Sequence, residues 1–293
     1  MKSIKKILAV FLTAALLLGT VSICASAYAV SDDLQKKLDK IYNSYNFTVG
    51  WGVYDISGGS AKLVAGKNAD KSFQSNCTIK SAMMFCICRM MDAGELSLST
   101  KLPVDKNSLH YTDFPELSGK YSVRSLLNKM VKVSNNAAYE VLLRYVTKEK
   151  FNAFLSSIGS GTQVASYNYM GSCTPNNRAI EWYALYKYCH SGAEHASFAW
   201  NLVRHSFNSP IRTALVRPVA HKAGWYTADG TAADCAVVKS RDGGCYLMVI
   251  FTKNNGSGAY ELGLIRKLAK VLDDVWSEYY NSLPADSRTR ASF

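Results

Sequence analysis

Strand-like alternation occurs near both ends of this chain and helical periodicity fills the space between, and that order restricts the fold more than any other feature. Phe47 to Ile56 repeats with a period of two, with Val49, Trp51 and Val53 on one face. Ala61 to Ala65 is placed to pair with it across Ser57-Gly58-Gly59. Far downstream, Ala220–Tyr226, Ala232–Ser240 and Tyr246–Thr252 read as three more strands. Between the two strand blocks lies a strongly apolar helix over Thr78–Arg89, closed near Gly94, followed by helical patterns at Val123–Val131, Ala137–Tyr145, Lys148–Ser156 and Asn177–His190. Amphipathic helices bracket the whole, over Ser31–Tyr45 (Leu34, Leu38, Ile41 and Tyr42 at helical spacing) and Tyr260–Tyr280. A two-stranded piece is marginal alone, so the blocks are expected to build one sheet together. The fold expected is α+β: an antiparallel sheet of N- and C-terminal strands flanked by helices, with an all-helical lobe inserted over about 73–210. A site belongs in the cleft between lobe and sheet. No repeat, low-complexity tract or linker divides the chain, and the polar stretch Pro284–Phe293 is expected to fray.

Residues 1–27 stand apart. Lys2, Lys5 and Lys6 precede an uncharged apolar run, Ile7 to Val21, and Ala25-Ser26-Ala27 offers small residues for cleavage. That is the layout of a secretory signal peptide, and the run is short for a membrane span. Ala27-Tyr28-Ala29 is a second cleavage site, and Ile23 fits poorly before a lipoprotein-type Cys24. The expectation is a secreted or extracytoplasmic single domain over 28–293 with no transmembrane span after cleavage. The apolar fraction of 48% is ample for its core. The formal charge of +12 becomes 12 − 3 = +9 without the three leading lysines. Anionic cell-surface polymers are natural partners for such a surface. The basic residues are scattered rather than gathered on one helix, and with export this argues against nucleic acid.

Of eight cysteines, Cys24 leaves with the signal segment, and seven cannot all pair with one another. Cys235 and Cys245 flank a turn at Arg241-Asp242-Gly243-Gly244 and are positioned to face each other across a hairpin. Cys86 and Cys88 lie in an apolar helix and read as small buried hydrophobes, while Cys173 and Cys189 have no evident partner. The five histidines show no ligand spacing, so neither a metal nor a cofactor is expected.

Three short motifs carry chemistry. Cys77-Thr78-Ile79-Lys80 opens the apolar helix, which places sulfur and ammonium on one face, where the helix dipole and the lysine both favour thiolate. A core cysteine beside a surface lysine is the plainer reading of those residues alone. Ser134-Asn135-Asn136 sits in a turn between helical patterns, where helix capping is sufficient explanation. His221-Lys222-Ala223-Gly224-Trp225 puts a lysine inside an apolar strand, followed by a glycine that permits close approach. Strand alternation sends Lys222 and Gly224 to one face and His221 to the other, which argues against a Cys77–His221 dyad.

Taken in order, the three motifs resemble S-x-x-K, S-x-N and K-T-G of the serine β-lactamase and penicillin-binding protein (transpeptidase-like) superfamily, class A branch, with cysteine in place of the nucleophilic serine. Asp92 to Leu98 and Tyr121 to Leu127 resemble the family's flanking stretches, and the likeness runs from about Phe47 to the last helix. The resemblance implies catalytic roles for Cys77 (nucleophile), Lys80 (proton acceptor or thiolate partner), Ser134 (proton relay) and Lys222 (electrostatics). It implies substrate contacts at Asn136, Ala223, Gly224 and Trp225, with the N–H groups of Cys77 and Trp225 as an oxyanion hole. A peptide or peptidoglycan-like small substrate follows.

Two further departures from the family bear on function. Ala223 lacks the hydroxyl that in relatives helps hold a substrate carboxylate, leaving Arg212 or Arg217 as substitutes. No Asp or Glu occurs between Phe151 and Ile180, so the glutamate that activates deacylating water in class A enzymes has no counterpart. The expectation is a β-lactamase-like hydrolase or acyltransferase acting on amide or peptide bonds of cell-wall type through a Cys77 acyl-enzyme. The alternatives are a non-catalytic binding or sensor domain and, third, a true β-lactamase.

Overall fold

A computed structural model describes residues 24–25, 28–111, 117–167, 170–288 and 291–293. The expected signal segment lies outside these, apart from a two-residue strand β1 (Cys24–Ala25) that pairs in parallel with β3 (Lys62–Lys67). The remaining strands of the main sheet are β2 (Phe47–Asp55), β8 (Val219–Tyr226), β9 (Thr231–Lys239) and β10 (Cys245–Asn254). The order is β1-β3-β2-β10-β9-β8, so β2 and β10, from opposite ends of the chain, lie side by side in the middle. Every pairing but β1 with β3 is antiparallel.

The sheet is covered on both faces, and its strands show how. Along β10, Leu247, Val249 and Phe251 enter the core shared with the helical lobe, while Tyr246, Met248 and Ile250 enter a second core beneath the terminal helices. Along β9, Ala233, Cys235 and Val237 divide from Ala232, Ala236 and Val238 in the same way. Burial on both faces explains why these strands read as continuous apolar runs. The second core is closed by α1 (Asp32–Asn43) and α9 (Leu262–Ser282), whose Leu34, Leu38, Leu264, Leu268 and Trp276 are buried.

The lobe comprises α2 (Lys80–Asp92), α3 (Val123–Lys132), α4 (Asn136–Val146), α5 (Lys148–Ser157), α6 (Pro175–Cys189) and α7 (Ala196–Arg204), with a short α8 (Pro210–Leu215) leading back to the sheet. Two small antiparallel pairs decorate it, β5 (Lys101–Val104) with β6 (Gly119–Ser122), and β4 (Phe73–Gln74) with the sequence-distant β7 (Ser172–Cys173). At its centre α2 is buried almost all round, from Lys80 through Cys88, which accounts for its weak amphipathic pattern. Among the described residues, no helix is long and apolar enough to cross a membrane.

Two expectations need correction. The C-terminal stretch docks rather than frays: Ser292 carbonyl accepts from the Tyr186 hydroxyl at 2.9 Å, and Phe293 packs edge-on against Trp200. Nor do Cys235 and Cys245 face each other. Cys235 lies opposite Val249 and Cys245 opposite Lys239, because the strands extend past the turn in a register that offsets the two sulfurs; all seven described cysteines outside β1 are free thiols.

Candidate active site

Three chain segments meet where the lobe rests on the sheet edge. Cys77 lies in a 3-10 turn (Asn76–Ile79) that runs directly into α2, so Lys80 follows one turn later on the same side. The α2 entry is fixed by Asn76, whose side-chain amide donates to Thr231 Oγ1 at 3.1 Å and whose φ of 46° is left-handed. On the next segment Asn135 supplies the cap of α4, its Oδ1 accepting from Ala138 N at 2.7 Å. Capping therefore falls to the middle residue of the motif, and Ser134 and Asn136 are turned into the site. Ser134 has φ 60°, a conformation that typically costs about 1–3 kcal/mol outside glycine. The third segment is β8, the sheet's edge strand, which carries Lys222 and Gly224 on the lobe-facing side.

Lys80 is the hub. Fully buried, its ammonium reaches Cys77 Sγ at 3.2 Å, the Ser134 carbonyl at 2.6 Å, Ser134 Oγ at 3.4 Å and Asn136 Oδ1. Lys222 approaches from the other side, also buried, donating to Ser134 Oγ at 3.0 Å and to the Ala223 carbonyl at 2.8 Å. The Ser134 hydroxyl thus lies between two ammonium groups. The plainer reading of the first motif fails on burial: it is the lysine that is enclosed, and the cysteine that is partly exposed.

The electrostatics single out one sulfur. Burial pushes the Cys77 thiol up, but Lys80 and Lys222, with hydrogen bonds from Ser134 and Lys80, more than offset it, and the net direction is down. In Cys86, Cys88, Cys173, Cys189, Cys235 and Cys245 burial dominates and every thiol is pushed up. Desolvation pushes the Lys222 ammonium down to about 8, against the pull of the neighbouring sulfur.

Gly224 is required by contact rather than by φ. A Cβ there would lie 2.4 Å from the Cys77 backbone N and 2.8 Å from the Cys77 Cβ. The strand backbone therefore packs directly on the residue that bears the sulfur.

The sequence model of the beta-lactamase enzyme family matches residues 33–276. The chain belongs to that family. Solved structures agree in fold. PBP-A superposes with a TM-score of 0.70 at 15% identity, over 87% of this chain and 98% of that one. A beta-lactamase from Sphaerobacter thermophilus gives 0.71 at 16% identity (85% and 98%), and one from Xanthomonas campestris pv. campestris 0.71 at 17% (84% and 98%). A search of curated proteins returned no match.

Beside Cys77 the cleft of this beta-lactamase family member has a volume of about 380 Å³. Its walls include Gln74, Tyr111, Asn136, Met170, Trp225 and Tyr226. Tyr111 and Met170 come from loops that no motif marks, and sequence periodicity gives no signal for them. A buried carboxylate steadies the Tyr111 side. Glu140 on α4 accepts from the backbone N–H of His110 at 2.8 Å and of Tyr111 at 3.2 Å, and pairs with Arg144 and the His110 ring. Burial pushes this carboxyl up, but the hydrogen bonds from His110, Arg144 and the two backbone N–H groups hold it below its ordinary value.

Other expected participants are placed elsewhere. Arg212 donates to the carbonyls of Arg204, Ser206 and Val219, and Arg217 pairs with Asp273, so neither substitutes for the missing hydroxyl at Ala223. His221 is fully buried on the opposite side of the strand from Lys222, its Nε2 on the Ser206 carbonyl at 2.9 Å and its Nδ1 3.4 Å from Asp234. The first carboxylate after the acid-free stretch, Glu181, is buried on α6 in a pair with Arg178 and accepts from Ser160 at 2.7 Å. It is committed to that pair and lines no part of the cleft. Among the described residues, no group of three or more His, Cys, Asp or Glu side chains is arranged to hold a metal ion.

Proposed function

We propose that this protein is an exported hydrolase or acyltransferase of the β-lactamase and penicillin-binding protein type, which cleaves an amide through a thioester on Cys77. The observation that carries the reading is the convergence of one lowered thiol, two buried ammonium groups and one shared hydroxyl. Cys77 Sγ, as thiolate, attacks the acyl carbon, forming the C–S bond. The carbonyl oxygen takes up the negative charge against the N–H groups of Cys77 and Trp225, a stabilisation worth about 3–4 kcal/mol per donor. As the C–N bond breaks, the Ser134 hydroxyl passes its proton to the leaving nitrogen and is reprotonated from Lys222. Water then cleaves the thioester: its oxygen and one hydrogen complete the carboxylic acid as the C–S bond breaks and the thiolate leaves, and its other proton returns through the Ser134 hydroxyl to Lys222. Asn136 orients the acyl amide. The net basic charge favours work at an anionic cell-wall surface.

The absence of a free carboxylate on the stretch 151–180 favours slow deacylation, and at the limit a binding or sensing role in which the acylated state is the output. Both readings are separated by stopped-flow hydrolysis of a neutral N-acyl amino-acid p-nitrophenyl ester. A burst of one nitrophenolate per chain followed by steady turnover supports the enzyme; a burst without turnover supports the sensor. No burst in the wild type, or an equal burst in Cys77→Ala, refutes both.

A further inference from the structure

Two walls of the cleft beside Cys77, Tyr111 and Met170, are loop residues, and one face of α4 holds the segments that carry them. We infer that Glu140 and Arg144 are positioning residues: they bring Tyr111 and Met170 to the acyl group without lining its cleft, and so select a bulky acyl group over a small one. The inference rests on the acyl-enzyme reading above and concerns how the same cleft chooses its acyl donor.

The cleft lies on the acyl side of the sulfur. Asn136, which orients the acyl amide, and Trp225 are among its walls, whereas Ser134, Lys80 and Lys222, grouped at the leaving nitrogen, are not. Residues 109–111 belong to no helix or strand, so their placement comes from what they touch. Glu140 is fully buried, and its Oε2 accepts from His110 N at 2.8 Å and from Tyr111 N at 3.2 Å. Its Oε1 lies 2.8 Å from the His110 ring nitrogen Nδ1. One turn on, Arg144 donates to Glu140 Oε1 at 2.7 Å and to the Ser108 carbonyl at 2.9 Å. Charge-assisted bonds of this kind are the strong ones, and here they grip the main chain from 108 to 111.

The same guanidinium lies over the Tyr167 ring, 5.0 Å from its centre, three residues before Met170. Just after Met170, the Gly171 carbonyl accepts from Ser75 N at 3.0 Å, two residues before Cys77. Met170 is therefore tethered from both directions. Asn136, Glu140 and Arg144 recur every four residues and share one face of α4. One helix thus registers the amide-binding residue and both loops against each other. Apolar walls reward an acyl group in proportion to the area it covers, and a small acyl group leaves them bare. The hydrogen bonds of Glu140 and Arg144 go to Ser108, His110, Tyr111 and each other, not to the sulfur or its ammonium neighbours, so the clasp acts on binding rather than on the chemical step.

The test follows the nitrophenolate burst of the full mature chain with the p-nitrophenyl esters of phenylacetylglycine and acetylglycine, which share a leaving group. The wild type should favour the phenylacetyl ester. In Arg144→Met and, separately, in Tyr167→Leu, the half-saturating concentration of that ester should rise severalfold to about tenfold, the range of a cation–π contact or a charged hydrogen bond, with its saturating burst rate held within about twofold. The acetyl ester should react within about twofold of the wild-type rate in both variants. Tyr167→Leu leaves the Glu140 pair in place and carries the test if Arg144→Met does not fold. A wild type that takes both esters equally, equal losses for the two esters, a lower saturating rate at unchanged half-saturation, or unchanged constants in both variants would overturn the inference and leave the acyl-enzyme reading intact. No burst with either ester in the wild type overturns both.

Discussion

Replacing Lys80 by methionine removes the ammonium nearest the sulfur while keeping nearly the same side-chain length in a fully enclosed position. At 3.2 Å and an effective dielectric of about 20, the Lys80–thiolate attraction is at most about 5 kcal/mol; a charge-assisted hydrogen bond of ordinary net value gives a floor of about 1.5 kcal/mol. At 1.36 kcal/mol per tenfold change, thiolate at a fixed acidic pH falls between roughly tenfold and several thousandfold. A less acidic thiol is intrinsically more nucleophilic, with a Brønsted coefficient of about 0.4–0.5, which returns about half of that on a logarithmic scale. The alkylation rate of Cys77 by iodoacetamide, read by intact mass across pH, should therefore fall about four- to seventyfold on the acid limb, and its midpoint should move to higher pH. Lys222→Met should move the midpoint in the same direction by less. The other six thiols are pushed up by burial, so they contribute little background. An unchanged midpoint in Lys80→Met, with circular dichroism showing a folded chain, would refute the electrostatic account of Cys77.

Gly224→Ala places a Cβ 2.4 Å from the Cys77 N, so β8 must move off the Cys77 turn; the proposed acylation should drop about 10²–10³-fold, the value of one oxyanion donor, with far-UV circular dichroism unchanged. A penicillin that acylates Cys77 should accumulate at one adduct per chain, because 151–180 holds no acid to activate water; rapid hydrolysis of a chromogenic cephalosporin would contradict this. The Glu140 carboxyl is held below its unfolded value, so the stability it contributes is present above about pH 4.3 and is lost as pH falls through the folded value. Denaturant titrations of Glu140→Gln should show lower stability at pH 7 and a flatter loss between pH 5 and pH 3; an identical acid limb would contradict it.

The architecture was legible because its strands and long helices are periodic. Phe47–Asp55, Lys80–Asp92 and Leu262–Ser282 fall within a few residues of their expected bounds. The helices Ala196–Arg204 and Pro210–Leu215 carry no clear sequence signal, because nine and six residues give few turns over which periodicity can register. The strands Lys101–Val104 and Gly119–Ser122, four residues each, are too short to show alternation. At the site, the residue types of the ordered motifs pointed to Cys77, Lys80, Ser134 and Lys222, but not to the burial of Lys80 or the transfer of capping to Asn135. Those follow from packing. Arg212 and Arg217 were plausible by position and fail because the folding of the chain around α8 brings the Val219 carbonyl onto Arg212, and Asp273, far along the chain, claims Arg217.

The central claim is a covalent bond between the Cys77 sulfur and an acyl carbon. Peptide mapping after incubation with an acylating ester tests it: one acyl mass on the peptide containing Cys77, removed by neutral hydroxylamine as a thioester should be and missing from Cys77→Ala, is the expected outcome. An unmodified Cys77 peptide, or an acyl mass on another residue that persists in Cys77→Ala, would contradict the account.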